Sequence, residues 1–242
     1  MFIIGDTHGL RPVFNIIENN KFSGENLIHV GDFGLGFQGV GRDIKNLELL
    51  DEALMDTNNQ LYVIRGNHDN PIFWDKSFGL NLPTFNNLHL VEDYSLIEIE
   101  GKKILFVGGA ISIDRRPRMI DTPPTWWKDE VFNYLEEKVK NLTNIDIVIT
   151  HTGPSFAWPI GSNNHLVNHY AIIEKQHGYD LHDELEAERM LVDDLYYSLH
   201  RQGVKVKKWY YGHFHSSKRK NHYGTEFILL NINEVEEVNI KD

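Results

Sequence analysis

Residues 2–9 read Phe2-Ile3-Ile4-Gly5-Asp6-Thr7-His8-Gly9. A three-residue apolar run that stops on a glycine, with a carboxylate and an imidazole directly after it, describes a short buried strand delivering chemistry at its carboxyl end. Asp6 and His8 share one side of an extended chain, because strand side chains alternate with period two. The same grammar recurs outward along the chain. The apolar run 27–30 ends in Gly31-Asp32, and 61–64 ends in Arg65-Gly66-Asn67-His68-Asp69. Run 145–149 leads into Thr150-His151, and Lys208–Tyr211 into Gly212-His213-Phe214-His215. Five strand ends thus offer Asp, His and Asn, and nothing softer.

Two further runs, 104–107 and 227–230, read as buried strands, and 96–100 alternates. Gly101 followed by two lysines predicts a hairpin turn into the 104–107 run. Between the strands lie helical periods. Val13, Ile16 and Ile17 share a face behind Pro12, and Ile44, Leu47, Leu50 and Leu54 continue the pattern in the next connection. Val131, Leu135 and Val139 predict another helix. Residues 183–201 predict a longer one, with Leu185, Leu191, Leu195 and Leu199 inside and Gly203 as its stop. This alternation predicts an α/β fold of two sheets packed together with helices outside. No repeat, low-complexity tract or linker divides the 242 residues, so 1–242 reads as one domain. Its least patterned stretch, 154–182, reads as an insertion or long loop running into a helix.

Composition narrows the chemistry. The chain has thirteen histidines, no cysteine and a net charge of −11. Lacking cysteine, it has no disulfide, thiolate metal site or cysteine nucleophile. The acidic balance argues against a protein that mainly grips nucleic-acid backbone, leaving nucleic acid as a substrate at most. No secretory signal and no apolar span of membrane length is present, which predicts a cytoplasmic protein without membrane contact. What stays open is a site of nitrogen and oxygen donors. Six or seven such donors exceed one tetrahedral site and suit a pair of divalent ions roughly 3.5–4 Å apart, the arrangement that clamps attacking and leaving oxygens in phosphoryl transfer. Each element alone is weak: Gly-Asp at a strand end commonly makes a turn, as does Gly-Asn-His-Asp. All five together, each after an apolar run, are specific.

The set Asp6-Thr-His8, Gly31-Asp32, Gly66-Asn67-His68-Asp69, His151 and Gly212-His213-Phe-His215 resembles the calcineurin-like metallophosphoesterase superfamily over residues 5–215. The stretch from Gly108-Gly109-Ala110 to Asp114-Arg115, with Trp126-Trp127 and Trp209-Tyr-Tyr-Gly-His, also looks like a bacterial and phage branch of it. The resemblance implies a four-layer α/β/β/α sandwich of two packed mixed sheets flanked by helices, with a dimetal site at the sheet edge. It implies that Asp6, His8 and His215 hold one metal, that Asn67, His151 and His213 hold the other, and that Asp32 bridges them. Two divalent ions, Mn, Fe or Zn, are the implied cofactors. The implied activity is hydrolysis of a phosphomonoester or phosphodiester by in-line attack of a metal-bridging hydroxide, with His68 as proton donor to the leaving oxygen. A nuclease or cyclic-nucleotide phosphodiesterase competes with a protein phosphatase within that reading. A catalytically silent scaffold of the same fold is the alternative, and it predicts missing ligands where all seven positions are filled.

One departure stands out. The protein phosphatases of that superfamily carry an Asp-Arg pair after Gly-Asp, whereas this chain reads Phe33-Gly34-Leu35-Gly36, which leaves His68 without its expected support. Phosphate contacts are therefore expected from Arg65 and from the cluster of Arg115, Arg116 and Arg118, since arginine's fork suits phosphate oxygens. Trp126 and Trp127 could line the cleft or anchor a lid. Of the other histidines, His29 reads as a bonded core group. His165, His169, His177 and His182 read as exposed, and Lys218-Arg219-Lys220 as a solvated turn.

Overall fold

A computed structural model of the chain describes residues 1–158 and 164–239. Its first sheet takes β1 (Phe2–Ile4), β2 (Asn26–His29), β3 (Gln60–Val63) and β4 (Leu88–Leu90) in parallel order, with α1 (Leu10–Asn20) and α2 (Val40–Asp56) as crossovers. The second sheet begins with the antiparallel hairpin β5 (Ser95–Ile99) and β6 (Lys102–Val107). Glu100 and Gly101 turn it with φ of 51° and 70°, the left-handed pair of a two-residue turn. Then come β7 (Ile147–Thr150), β8 (Lys208–Tyr211), β9 (Lys218–His222) and β10 (Thr225–Leu229), in the order β5-β6-β7-β8-β10-β9. The last strand, β11 (Val235–Glu237), returns to the first sheet and pairs antiparallel with β1.

Period-two alternation sorts the apolar side chains into three layers. Ile3, Ile28, Val30 and Ile64 of one sheet meet Ile104, Phe106, Ile147, Ile149, Tyr210 and Ile228 of the other. Their neighbours Ile4, Leu27, Leu61 and Val63 face outward onto Val13, Ile16 and Ile17 of α1 and Leu47, Leu50 and Leu54 of α2. Leu105, Val107, Val148, Trp209 and Tyr211 face the other way, onto a long helix, α6 (Leu181–Arg201), through Val192, Leu195, Tyr196 and Leu199. The layers are therefore helix, sheet, sheet, helix, and strands buried on both faces explain the near-continuous apolar runs. The Asp180 carboxylate caps α6 by accepting the His182 and Asp183 N–H groups, and Gly203 ends it at φ 77°. Among the described residues, no helix is long and apolar enough to cross a membrane.

Two local readings change. Beyond the short α3 (Arg115–Met119), the helix expected over Val131, Leu135 and Val139 shrinks to α4 (Glu136–Val139). Backbone groups that would have opened it are taken elsewhere: Arg65 donates to the Val131 carbonyl at 3.1 Å, Tyr94 donates to the Asn133 carbonyl, and Leu135 N–H donates to the Tyr94 oxygen at 2.9 Å. Lys218-Arg219-Lys220 is an exposed edge strand rather than a turn, paired along β10; lysine on an edge discourages further strand pairing. Within 154–182, a short turn (Ser155–Ala157) precedes α5 (Asn164–Gln176), and 159–163 lie outside the described residues. The short strands β4 and β11 also had no distinct apolar signature.

Candidate metal centre

The loops after β1, β2, β3, β7 and β8 converge on one rim, and they do so on constrained backbone. His8, Asp32, His213 and His215 have φ of 48°, 55°, 69° and 48°. Such left-handed values cost a non-glycine residue energy and persist only where the surroundings enforce them. Two glycines permit the crowding: a Cβ on Gly66 would strike the Asp32 carboxylate, and one on Gly212 would strike that of Asp6.

Two donor groups result. Asp6, His8, Asp32 and His215 lie close enough to share one ion, as do Asp32, His151 and His213, so Asp32 belongs to both. Its Oδ1 is 3.1 Å from His151 Nε2 and its Oδ2 is 3.8 Å from His8 Nδ1. Asn67 joins the second group, its Oδ1 lying 3.1 Å from His151 Nε2 and 2.8 Å from His213 Nδ1. In the first group His8 Nε2 and His215 Nε2 face each other at 2.9 Å, and His215 Nε2 is 3.5 Å from Asp6 Oδ2. The structure thus brings all seven sequence-predicted positions together.

The donor set suits divalent cations. Asp6 is fully buried, yet its Oδ1 has no hydrogen-bond partner among the described residues, an arrangement that costs several kcal/mol unless a cation satisfies it. Burial pushes the Asp6 carboxyl up to about 8, with Asp32 adding to the rise. Burial likewise pulls His215 down to about 4 and His213 well below its ordinary value, with His8 and His151 contributing respectively. Neutral imidazoles are the metal-binding form. Asp32 behaves oppositely: burial pushes it up, but His151 and His68 outweigh that and hold it well below the carboxylate range. His151 Nδ1 is 2.8 Å from the Val30 carbonyl. A proton there leaves Nε2 free for a ligand, the usual way a second partner fixes the ligating nitrogen.

The support for these loops was not legible in the motif. Asp69 is buried and accepts four backbone N–H groups, from Phe33 (3.0 Å), Gly34 (2.7 Å), Leu35 (3.1 Å) and Gly66 (2.7 Å). One carboxylate therefore clamps the Asp32 loop to the Asn67 loop, where the Asp-Arg pair is missing. His68 donates its backbone N–H to Asp32 Oδ1 at 2.8 Å. Its ring stacks on Phe37 at 5.9 Å and meets His8 edge-on at 5.1 Å. Behind Asn67, the Ser112 hydroxyl accepts from the Asn67 amide at 3.0 Å and from Arg118, which also donates to the Asn67 carbonyl at 2.9 Å. These bonds turn the amide so that its oxygen faces His151 and His213. Nothing in the spacing of Ser112 or Arg118 announced this.

The arginines expected to meet phosphate are not brought to the cavity lining. Arg65 is buried and engaged by Asp93 and by the carbonyls of Asp129, Glu130 and Val131. Arg115 spans Glu174 and Glu184, and Arg116 pairs with Glu174. None lines the cavity of about 330 Å³ into which the rim opens. Trp127 meets Phe37 edge-on at 5.5 Å, beside Arg118, and so buttresses the ring that stacks on His68. His29 is a bonded core group, its Nδ1 accepting from Gly31 N–H and its Nε2 3.0 Å from the Thr7 hydroxyl. His165, His169, His177 and His182 are exposed.

With the geometry in place, comparison with known proteins adds one positive finding. The family model described as calcineurin-like phosphoesterase matches residues 1–217. No curated protein matches the chain.

Proposed function

The chain belongs to the calcineurin-like phosphoesterase family, and from that premise we propose that it hydrolyses a phosphomonoester or phosphodiester at a dinuclear metal centre. The observation that carries this reading is Asp32, a buried carboxylate common to two adjoining donor groups. Asp6, His8 and His215 would hold one ion, Asn67, His151 and His213 the other, with Asp32 between them. Two divalent ions so held supply Lewis acidity toward phosphoryl oxygens and lower the pKa of water, the two needs of hydrolysis without a covalent intermediate.

The remaining work falls to the chain itself. His68 is half-buried on the cavity wall, tied through its backbone to Asp32, with its ring held between Phe37 and His8. From there its imidazole gives a proton to the departing ester oxygen. Burial lowers its pKa, against the opposing pull of Asp32. The Asn67 amide, set by Ser112 and Arg118, presents an oxygen and withholds its N–H₂ from the centre.

The test is a substrate panel with added Mn²⁺: nitrophenyl mono- and diesters, cyclic nucleotides and short oligonucleotides. Hydrolysis of at least one is expected. In His68→Ala, both metals should remain while esters with poor leaving groups slow by roughly a hundredfold or more. No turnover with two ions bound would make the protein a scaffold, and loss of metal in His68→Ala would make that histidine a ligand.

A further inference from the structure

The cavity has two unlike walls. On one lie His8, Asp32, Asn67, His68, His213 and His215; the other is formed by Ile113, Trp158, Leu166, Val167, Tyr170, Leu185 and Phe214. Among the described residues no lysine or arginine lines it, and its one acid beyond the seven donor positions is Asp114. Residues 159–163 carry no charged side chain either. Arg189 lies on the Trp158 ring at 4.4 Å and bonds the Leu185 carbonyl at 3.0 Å, but it is not part of the lining.

Charge and shape then select the occupant. A phosphate at the metal centre is compensated there, whereas a second phosphate in the cavity would face Asp114 and hydrocarbon, losing water without gaining a partner. Polyphosphates and nucleic-acid strands are poor fits for that reason. The organic wall offers three rings, and Trp158 meets Phe214 edge-on at 4.3 Å. Phe214 stands in the chain between the donors His213 and His215, so the aromatic surface begins beside the metal centre. A volume of about 330 Å³ is at the small end of ligand pockets. The wall is also preformed. The buried Glu174 carboxylate binds Arg115 at 2.6 Å and Arg116 at 3.0 Å, fixing α5, the helix that carries Leu166, Val167 and Tyr170.

We infer that the substrate carries a single phosphorus and a compact, uncharged aromatic group, which seats against Trp158, Tyr170 and Phe214. This rests on the phosphoesterase reading above and names its substrate class.

Two esters with similar primary alkoxide leaving groups, benzyl phosphate and ethyl phosphate, separate recognition from leaving-group chemistry. Their non-hydrolysable counterparts, benzylphosphonate and ethylphosphonate, report binding by calorimetry on the Mn²⁺-loaded protein. The benzyl member of each pair should be favoured by roughly tenfold or more, in kcat/KM and in Kd. ATP and a dinucleotide should be poorer substrates than benzyl phosphate. Leu166 is 41% exposed, so Leu166→Asp is tolerated by the fold and should collapse the benzyl preference. Equal treatment of the two pairs, or preference for ATP or the dinucleotide, overturns this inference and leaves phosphoester hydrolysis standing. Tighter benzylphosphonate binding without turnover of any ester supports the aromatic site and overturns the hydrolase. Absence of both binding and turnover overturns both.

Discussion

The two walls of the cavity are built by opposite means. The donor wall is backbone work: short loops at strand ends, four donor residues in left-handed conformation, and one buried carboxylate collecting four N–H groups. The organic wall is side-chain work: regular helix, apolar volume, and arginine–glutamate pairs at its back. Metal chemistry demands donors at fixed positions, so it enforces particular residues at particular spacings. An apolar wall demands only volume, which any pinned helix can supply.

Four substitutions probe this contrast. Asp32→Asn, at the point common to both donor groups, should reduce turnover by roughly a thousandfold or more and lower bound metal, read by rate and by elemental analysis. Unchanged activity would remove Asp32 from between the ions. Asp69→Ala strands four backbone donors at once, three of them buried, and should destabilise the metal-free protein by about 3 kcal/mol in urea denaturation. A loss within experimental error would show that the loops hold themselves. Ser112→Ala frees the Asn67 amide to turn and should weaken binding of the second ion by roughly tenfold. Titration of metal into wild type and variant measures it, and identical curves would reduce Ser112 to packing.

The smallest effect belongs to the organic wall. Burial raises the Glu174 pKa, but Arg115 and Arg116 outweigh it and hold the group below its usual range. A depressed carboxylate contributes stability that is complete above the ordinary glutamate range and fades as pH falls through the lower folded value. Acidification should therefore loosen α5, seen as faster hydrogen exchange in residues 164–176, and Glu174→Gln should abolish that pH dependence. If α5 opens no earlier than α6, the ion pairs do not pin it.

The contrast also explains what could be read in advance. Ile3 and Ile4, or Tyr210 and Tyr211, announce a strand buried on both faces because each neighbour meets a different layer. The seven proposed donors stood out because each lies just beyond such a run. Arg65, Arg115 and Arg116 misled because a charge shows the capacity to bind an anion, not which anion; here Asp93, Glu174 and Glu184 claim them. The ties of Ser112 and Arg118 to Asn67 were silent because they span 45 and 51 positions of chain. Residues 131–139 had helical spacing but lost their backbone partners to Arg65 and Tyr94, a tertiary override that no local period reveals.

The family match ends at residue 217, but the pairing of β11 with β1 lies beyond it. Gly5 N–H donates to the Glu234 carbonyl and Asn233 N–H to that of Asp6, each at 2.9 Å. Asp6 thus takes a backbone partner from beyond the matched region. A fragment cut at residue 217 would carry every proposed donor without the strand that backs the first of them.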